Sequence, residues 1–286
     1  MSDTAELIRA LGVLGEPPAA GHGAIAEALG LPPASDPADY VEVFLLQAYP
    51  YASVHLGPEG MMGGEARDRV AGFWRALGLT PPPEPDHLAA LLGLYAALIE
   101  AEEAEPDAAR AALRRSSRRA LLWEHLLSWC PPYLDTVAAI APARYRAWAE
   151  LLSRTLVDEA ERLGPQADLP LALRVAEALP AHADTAADWV TAILAPVRSG
   201  MIVTRADLGR CARELDIGLR IGERAYVLRS LLEQDPAGTV AWLALEADHA
   251  AERHASFEAR LGSVAAWWRA RAEAAAVALR ASLVAA

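Results

Sequence analysis

The chain has 286 residues, 53% of them hydrophobic, and its 26 basic residues, all arginine, face 38 acids for a net charge of -12 and a pI near 5.1. That balance argues against non-specific nucleic-acid binding, which needs a basic footprint, while the length and apolar content suffice for one large domain or two modest ones. Cys130 and Cys211 lie far apart and outside any CxxC pair, which excludes a disulfide framework or zinc ribbon and reads as buried thiols of a reducing compartment.

At the start, Met1-Ser2-Asp3-Thr4-Ala5-Glu6 carries acids where a signal peptide would carry bases. No uninterrupted apolar run reaches the ~18 residues of a membrane span, so the expected location is the cytoplasm. Helical periodicity then dominates, with alanine and leucine abundant and β-branched alternation nearly absent. Helices are predicted near 3–14, 22–30, 37–49, 64–77, 85–104, 107–129, 132–140, 143–163, 169–179, 185–198, 205–214, 222–233 and 237–283, the last open to interruption at Gly262. Proline and glycine punctuate them at Pro17-Pro18, Pro32-Pro33, Gly57-Pro58, Pro81-Pro82-Pro83, Pro131-Pro132, Gly164-Pro165 and Gly200. The expected fold class is all-α, a large helical bundle with no sheet.

The least helical stretch runs from Tyr49 to Gly64 and mixes aromatics, methionines and glycines. It reads either as a mobile loop with apolar surface or as a connector tucked on the core. The helix after it is the most regular: Leu88, Leu91, Leu92, Tyr95, Leu98 and Ile99 form one apolar stripe. Pro85 suits its first position, and Glu84 and Asp86 would complement its positive end. Glu84, Asp86 and His87 together offer two carboxylates and an imidazole, a set that either caps a helix or binds an arginine-bearing peptide by charge-assisted hydrogen bonds.

Further on, Leu122, His125, Leu126 and Trp129 share a helix face, which makes His125 a core histidine. Between these segments, Arg110, Arg114, Arg115, Arg118 and Arg119 form a basic stripe after the acidic cluster Glu100, Glu102, Glu103, Glu105 and Asp107. A salt-bridged solvated face explains it; a docking surface for an acidic patch on a partner is the sharper alternative. Near the end, Glu246 and His249 form half of a di-iron type motif, and a complete site would need a second Glu-x-x-His together with two further glutamates. No Walker A loop, GxGxxG, GxSxG or HExxH appears either.

The segments Glu84-Pro85-Asp86-His87 and His125-Leu126-Leu127-Ser128-Trp129-Cys130-Pro131-Pro132, in this order, resemble the TorD/DmsD/NarJ family of chaperones that mature molybdenum oxidoreductases. The resemblance runs through roughly residues 38–235 and is strongest at 49–98 and 121–135. The family's Glu-Pro-x-Asp-His form is one residue longer, so the correspondence is firmer at Asp86 and His87 than at Glu84 and Pro85. It implies a chaperone domain over 36–235; an N-terminal helical extension over 1–35 and a long C-terminal helix over 236–286 packing on the body are expected outside the matched stretch. It also implies a binding protein rather than an enzyme. The protein would have no cofactor or metal of its own, while its client, an immature molybdopterin oxidoreductase catalytic subunit, would carry a molybdopterin guanine dinucleotide.

In that reading Glu84 and Asp86 meet the arginines of a twin-arginine leader, and His87 orients the acids or donates to a client carbonyl. Tyr51, Trp74, Leu91, Trp129 and Pro131 receive its apolar stretch, His125 counts with them among the binding residues, and the 50–64 loop is the mobile element. Weak GTP binding, and a monomer or homodimer, are further implications. Two alternatives stand beside it. One is a metal-dependent helical enzyme built on Glu246 and His249. The other is a regulatory module whose helices between Ala5 and Leu31 contact DNA.

Overall fold

Alanine and leucine at helical spacing yield helices and nothing else. In the computed structural model, which describes residues 3–34, 36–180 and 185–285, no strand forms among the described residues, and β pairing is limited to an isolated antiparallel bridge between Tyr51 and His87. Met1 and Ser2, where the N-terminal reading began, lie outside the described residues. No helix among those residues is long and apolar enough to cross a membrane.

The chain resolves into two compact units, one of residues 1–53 and 63–171, the other of 54–62 and 172–286. The expected boundaries at 35/36 and 235/236 both fall inside these units.

Unit 1 contains α1 (Asp3–Leu14), α2 (His22–Ala28), a π-helical segment Val41–Gln47, the start of α3 (Ala52–Leu56), α4 (Gly64–Ala76), α5 (Leu88–Glu103), α6 (Ala108–Ala120), a second π-helical segment Leu121–Leu126, α7 (Cys130–Ile140) and α8 (Ala143–Leu163). The stripe on α5 is its axis: Leu88, Leu91, Leu92, Tyr95 and Ile99 are at most 2% exposed. α1 packs along α5, and Gly12 permits the approach, since a Cβ there would sit 3.2 Å from Leu92 Cβ. Trp148 Nε1 donates to the Leu11 carbonyl at 2.9 Å, and Arg9 pairs with Glu100 at 2.7 Å. The first helix therefore packs into the core of unit 1. In the interior, Tyr95 donates to the buried Glu159 carboxylate at 2.7 Å, and Arg162 holds the other oxygen at 2.7 Å.

Two predicted elements of unit 1 differ. The helix expected over 107–129 is α6 running into the wider π turn of Leu121–Leu126, a variation that apolar spacing does not reveal. Trp129 then breaks the helix at φ -144°, and Pro131 and Pro132 sit in the first turn of α7, where their missing N–H groups leave no hydrogen bond unmade. The segment predicted helical over 37–49 is π-helical through Val41–Gln47.

Unit 2 contains Val54–Met62, α9 (Leu171–Arg174, from its second residue), α10 (Ala186–Leu194), α11 (Pro196–Ser199), α12 (Arg205–Glu214), α13 (Arg224–Gln234), α14 (Pro236–Ala255), α15 (Glu258–Leu261) and α16 (Ser263–Ala285). The single long C-terminal helix expected over 237–283 is instead a hairpin. α14 ends at Ala255, Gly262 turns the chain at φ 54°, and α16 packs back on α14. Alanines on the facing sides (Ala247, Ala250, Ala272, Ala275 and Ala276, all at most 1% exposed) let the two backbones come close.

Gly200 is required at this point. Its φ is 73°, and a Cβ would stand 2.3 Å from the Ala272 nitrogen of α16. The Gly200 carbonyl also meets His254 Nε2 at 2.8 Å. The helix expected over 169–179 shrinks to α9.

Of the two readings of the Tyr49–Gly64 stretch, the connector tucked on the core fits its first part. Residues 52–57 are buried and partly helical, while Met61 and Met62 are exposed at 67% and 56%.

Candidate functional site

The Glu84–His87 motif does not form the first turn of α5, as its proline had suggested; it is the splice just before it. His87 is the N-cap, extended at φ -65° and ψ 137°, and its Nδ1 accepts the Ala89 N–H at 3.1 Å. That bond places the imidazole proton of the neutral ring on Nε2. Pro85 is buried, and its carbonyl accepts from Trp74 Nε1 at 3.3 Å.

Asp86 is only 2% exposed: one carboxylate oxygen accepts the Ser53 N–H at 3.0 Å and its carbonyl accepts the Ala52 N–H at 3.0 Å. With the Leu88 N–H donating to the Pro50 carbonyl at 2.8 Å, Asp86 staples residues 50–53 against the start of α5. Its carboxylate faces inward and not toward an incoming guanidinium.

Glu84 is the exposed acid. Its carboxylate accepts the Tyr51 hydroxyl at 2.9 Å, and the Tyr51 ring meets the His87 ring edge-on with centroids 4.9 Å apart. Burial lowers the His87 pKa, opposed by Glu84, Glu16 and Asp86. Burial first and the Glu84 hydrogen bond second raise that of Tyr51. Tyr40 is pushed up to about 12 by burial, then by Tyr145, Glu16 and Glu84. Glu16, exposed on the turn after α1, therefore shares the negative field of this site. Sequence reasoning missed it, and nothing local in Gly15-Glu16-Pro17 could have revealed a neighbour so distant along the chain.

The second motif half is interior. Leu91 and Trp129 are 0% exposed and Pro131 is buried, so these three predicted contact residues present no surface in this conformation. Trp129 Nε1 donates to the His125 carbonyl at 2.8 Å and its ring lies 5.2 Å from that of Tyr133, whose hydroxyl donates to the Ala48 carbonyl at 3.3 Å. His125 is 8% exposed and rests 4.8 Å from the Phe73 ring. Burial, helped by Arg69, lowers its pKa to about 4.

The two halves are joined through α4. Adjacent residues Phe73 and Trp74 reach His125 and Pro85 respectively, and residues 48–53 touch both halves. The surface result is one patch: the exposed Glu84 and Glu16 carboxylates, the half-buried Tyr51 and Trp74, and the His87 Nε2–H. It can receive cations and N–H donors.

Elsewhere, Glu246 is engaged. Arg210 donates to both its oxygens at 2.9 and 2.7 Å while stacking over Trp242, and His249 Nδ1 lies 3.3 Å from the same carboxylate. Among the described residues no group of three or more His, Cys, Asp or Glu is placed to hold a metal ion. Both cysteines are buried free thiols.

Among known families, the chain matches the model described as nitrate reductase delta subunit over residues 22–135. That segment contains every residue of the patch except Glu16. No curated protein matches the chain.

Proposed function

We propose, from the match of residues 22–135 to the nitrate reductase delta subunit model, that this protein is a NarJ/TorD-type molybdoenzyme maturation chaperone and holds an immature molybdopterin oxidoreductase catalytic subunit in the cytoplasm during cofactor insertion. Where that subunit has a twin-arginine leader, the chaperone holds the leader as well. Its work is binding, and the molybdopterin guanine dinucleotide belongs to the client.

The observation that carries the leader-binding reading is the exposed Glu84 carboxylate, oriented by Tyr51 in the segment just before α5. A leader guanidinium reaching Glu84, with Glu16 adding to the field, gains a charge-assisted hydrogen bond. Solvent screening limits an exposed pair of this kind to about 1 kcal/mol. His87 Nε2–H donates to a leader carbonyl. The leader's apolar stretch lies on Tyr51 and Trp74, extended by Val41 and Leu45, which are 45% and 46% exposed on the π-helical segment that follows Tyr40. Asp86 acts through Ser53 by holding Tyr51 in place.

The test is fluorescence anisotropy with a labelled leader peptide containing the arginine pair and a second peptide with both arginines replaced by glutamine. Glu84→Gln should weaken the first peptide roughly three- to tenfold, about 1 kcal/mol, and leave the second unchanged. Equal effects on both peptides, or none on either, refute the assignment of Glu84.

A further inference from the structure

α6 is a helix that buries one residue, Arg118. A helix of this length is marginal in isolation, and what holds it is polar. Asp107 caps it, Arg114 pairs with Glu105 at 2.9 Å, Arg115 and Arg118 pair with Glu102 at 3.5 and 3.2 Å, and Arg119 donates to the Pro165 carbonyl. The apolar side between α6, α5 and the end of α4 is left open as a groove of about 720 Å³ lined by Leu77, Leu94, Leu98 and Leu113 together with Arg110 and the ion pair of Arg114 with Glu105. Leu113 is 69% exposed. Leu94, Leu98 and Ala101 run along one wall at helical spacing, and Arg110, Leu113 and Arg114 along the other.

We infer that this groove docks an amphipathic helical segment of a protein partner, leucine-like on its buried face and carrying a carboxylate that pairs with Arg110. Two parallel rows of side chains at helical spacing suit a third helix laid between them. The charge follows from the arginine stripe: Arg114, Arg115 and Arg118 have acidic partners and Arg119 a carbonyl, while the Arg110 guanidinium makes no ion pair or hydrogen bond among the described residues. A segment entering beside Arg110 meets a cation that lacks a counter-charge. This sign is opposite to that of the Glu84 patch, so the two surfaces select different peptides.

The probe is a fluorescein-labelled fourteen-residue peptide with leucines on one helical face and glutamates beside them, compared with a counterpart carrying lysines in place of the glutamates. The full-length protein should bind the glutamate peptide at least tenfold more tightly. Arg110→Glu should reverse that preference, and Leu113→Glu, at an exposed position that folding does not need, should weaken the glutamate peptide at least tenfold. Both variants should bind the twin-arginine leader peptide as before, so failure here and failure of the leader site are separable.

Equal binding of the two peptides, binding of neither, or a preference unmoved by Arg110→Glu overturns the inference. So does a concentration-dependent dimer that Leu113→Glu abolishes while neither peptide binds, which would give the groove to a second copy of the chain.

Discussion

Two buried histidines make the stability of this protein depend on mild acid. His125 and His254, at 8% and 6% exposure, are each lowered from 6.5 to about 4, chiefly by burial and secondarily by a nearby arginine, Arg69 for the first and Arg253 for the second. The Gly200 carbonyl opposes the shift at His254. Folded, both rings are neutral; unfolded, each takes up a proton once the pH falls below 6.5. Protons therefore favour the unfolded chain, and the contribution is complete above pH 6.5 and is lost as pH falls toward 4.

At about 1.36 kcal/mol per pKa unit, each ring accounts for about 3 kcal/mol at the acid limit and about 2 kcal/mol between pH 7.5 and 5. Urea denaturation followed by tryptophan fluorescence at pH 7.5, 6.5, 5.5 and 5 reads this directly. His254→Gln keeps an N–H donor for the Gly200 carbonyl and removes the titration. It should reduce the stability lost between pH 7.5 and 5 by about 2 kcal/mol relative to the parent, the carboxylates being common to both. His125→Phe, against Phe73, should do the same in unit 1. If His254→Gln leaves the pH slope of stability unchanged, burial does not hold this ring neutral and the reasoning fails.

Trp129→Ala should cost about 3–5 kcal/mol, because it empties a fully buried indole site beside Tyr133; an unshifted thermal midpoint would show that Trp129 is not core. Asp86→Ala should destabilise by about 1–3 kcal/mol by stranding the Ser53 N–H. Leader affinity should fall with it, and Asp86→Asn, which keeps an acceptor oxygen, should recover most of both. Gly200→Ala should lower the melting temperature of the protein, because both the positive φ and the Ala272 backbone exclude a methyl group; thermal unfolding at pH 7.5 reads it, and a variant as stable as the parent would show that α16 can move away.

The helices were legible because an amphipathic stripe is a local signal. The apolar residues of α5 were identifiable from spacing alone, and they line the centre of unit 1. π-helical turns at Val41–Gln47 and Leu121–Leu126 were not legible, since one extra residue in a turn barely disturbs an apolar pattern. The hairpin of α14 and α16 was half visible: Gly262 marked a possible break, but the direction of the chain after it depends on a positive φ that composition cannot supply.

At the site, the motif residues were found but their roles were sorted only by burial. Asp86 and Glu84 look equivalent in the sequence, yet one is an internal acceptor and the other an exposed acid.

Composition and periodicity alone determined that this chain is all-helical and acidic, and short motifs pointed to the family matched over residues 22–135, because those properties are carried by neighbouring residues. Tertiary structure decided which carboxylate meets solvent, that Trp129 and Leu91 are interior, that the charges of Glu16 and Glu84 both act on His87, and that the Arg110 guanidinium alone of its stripe makes no ion pair or hydrogen bond among the described residues. Each of these depends on which distant segment packs against the residue, and that is settled by the competition of all segments for the same buried volume.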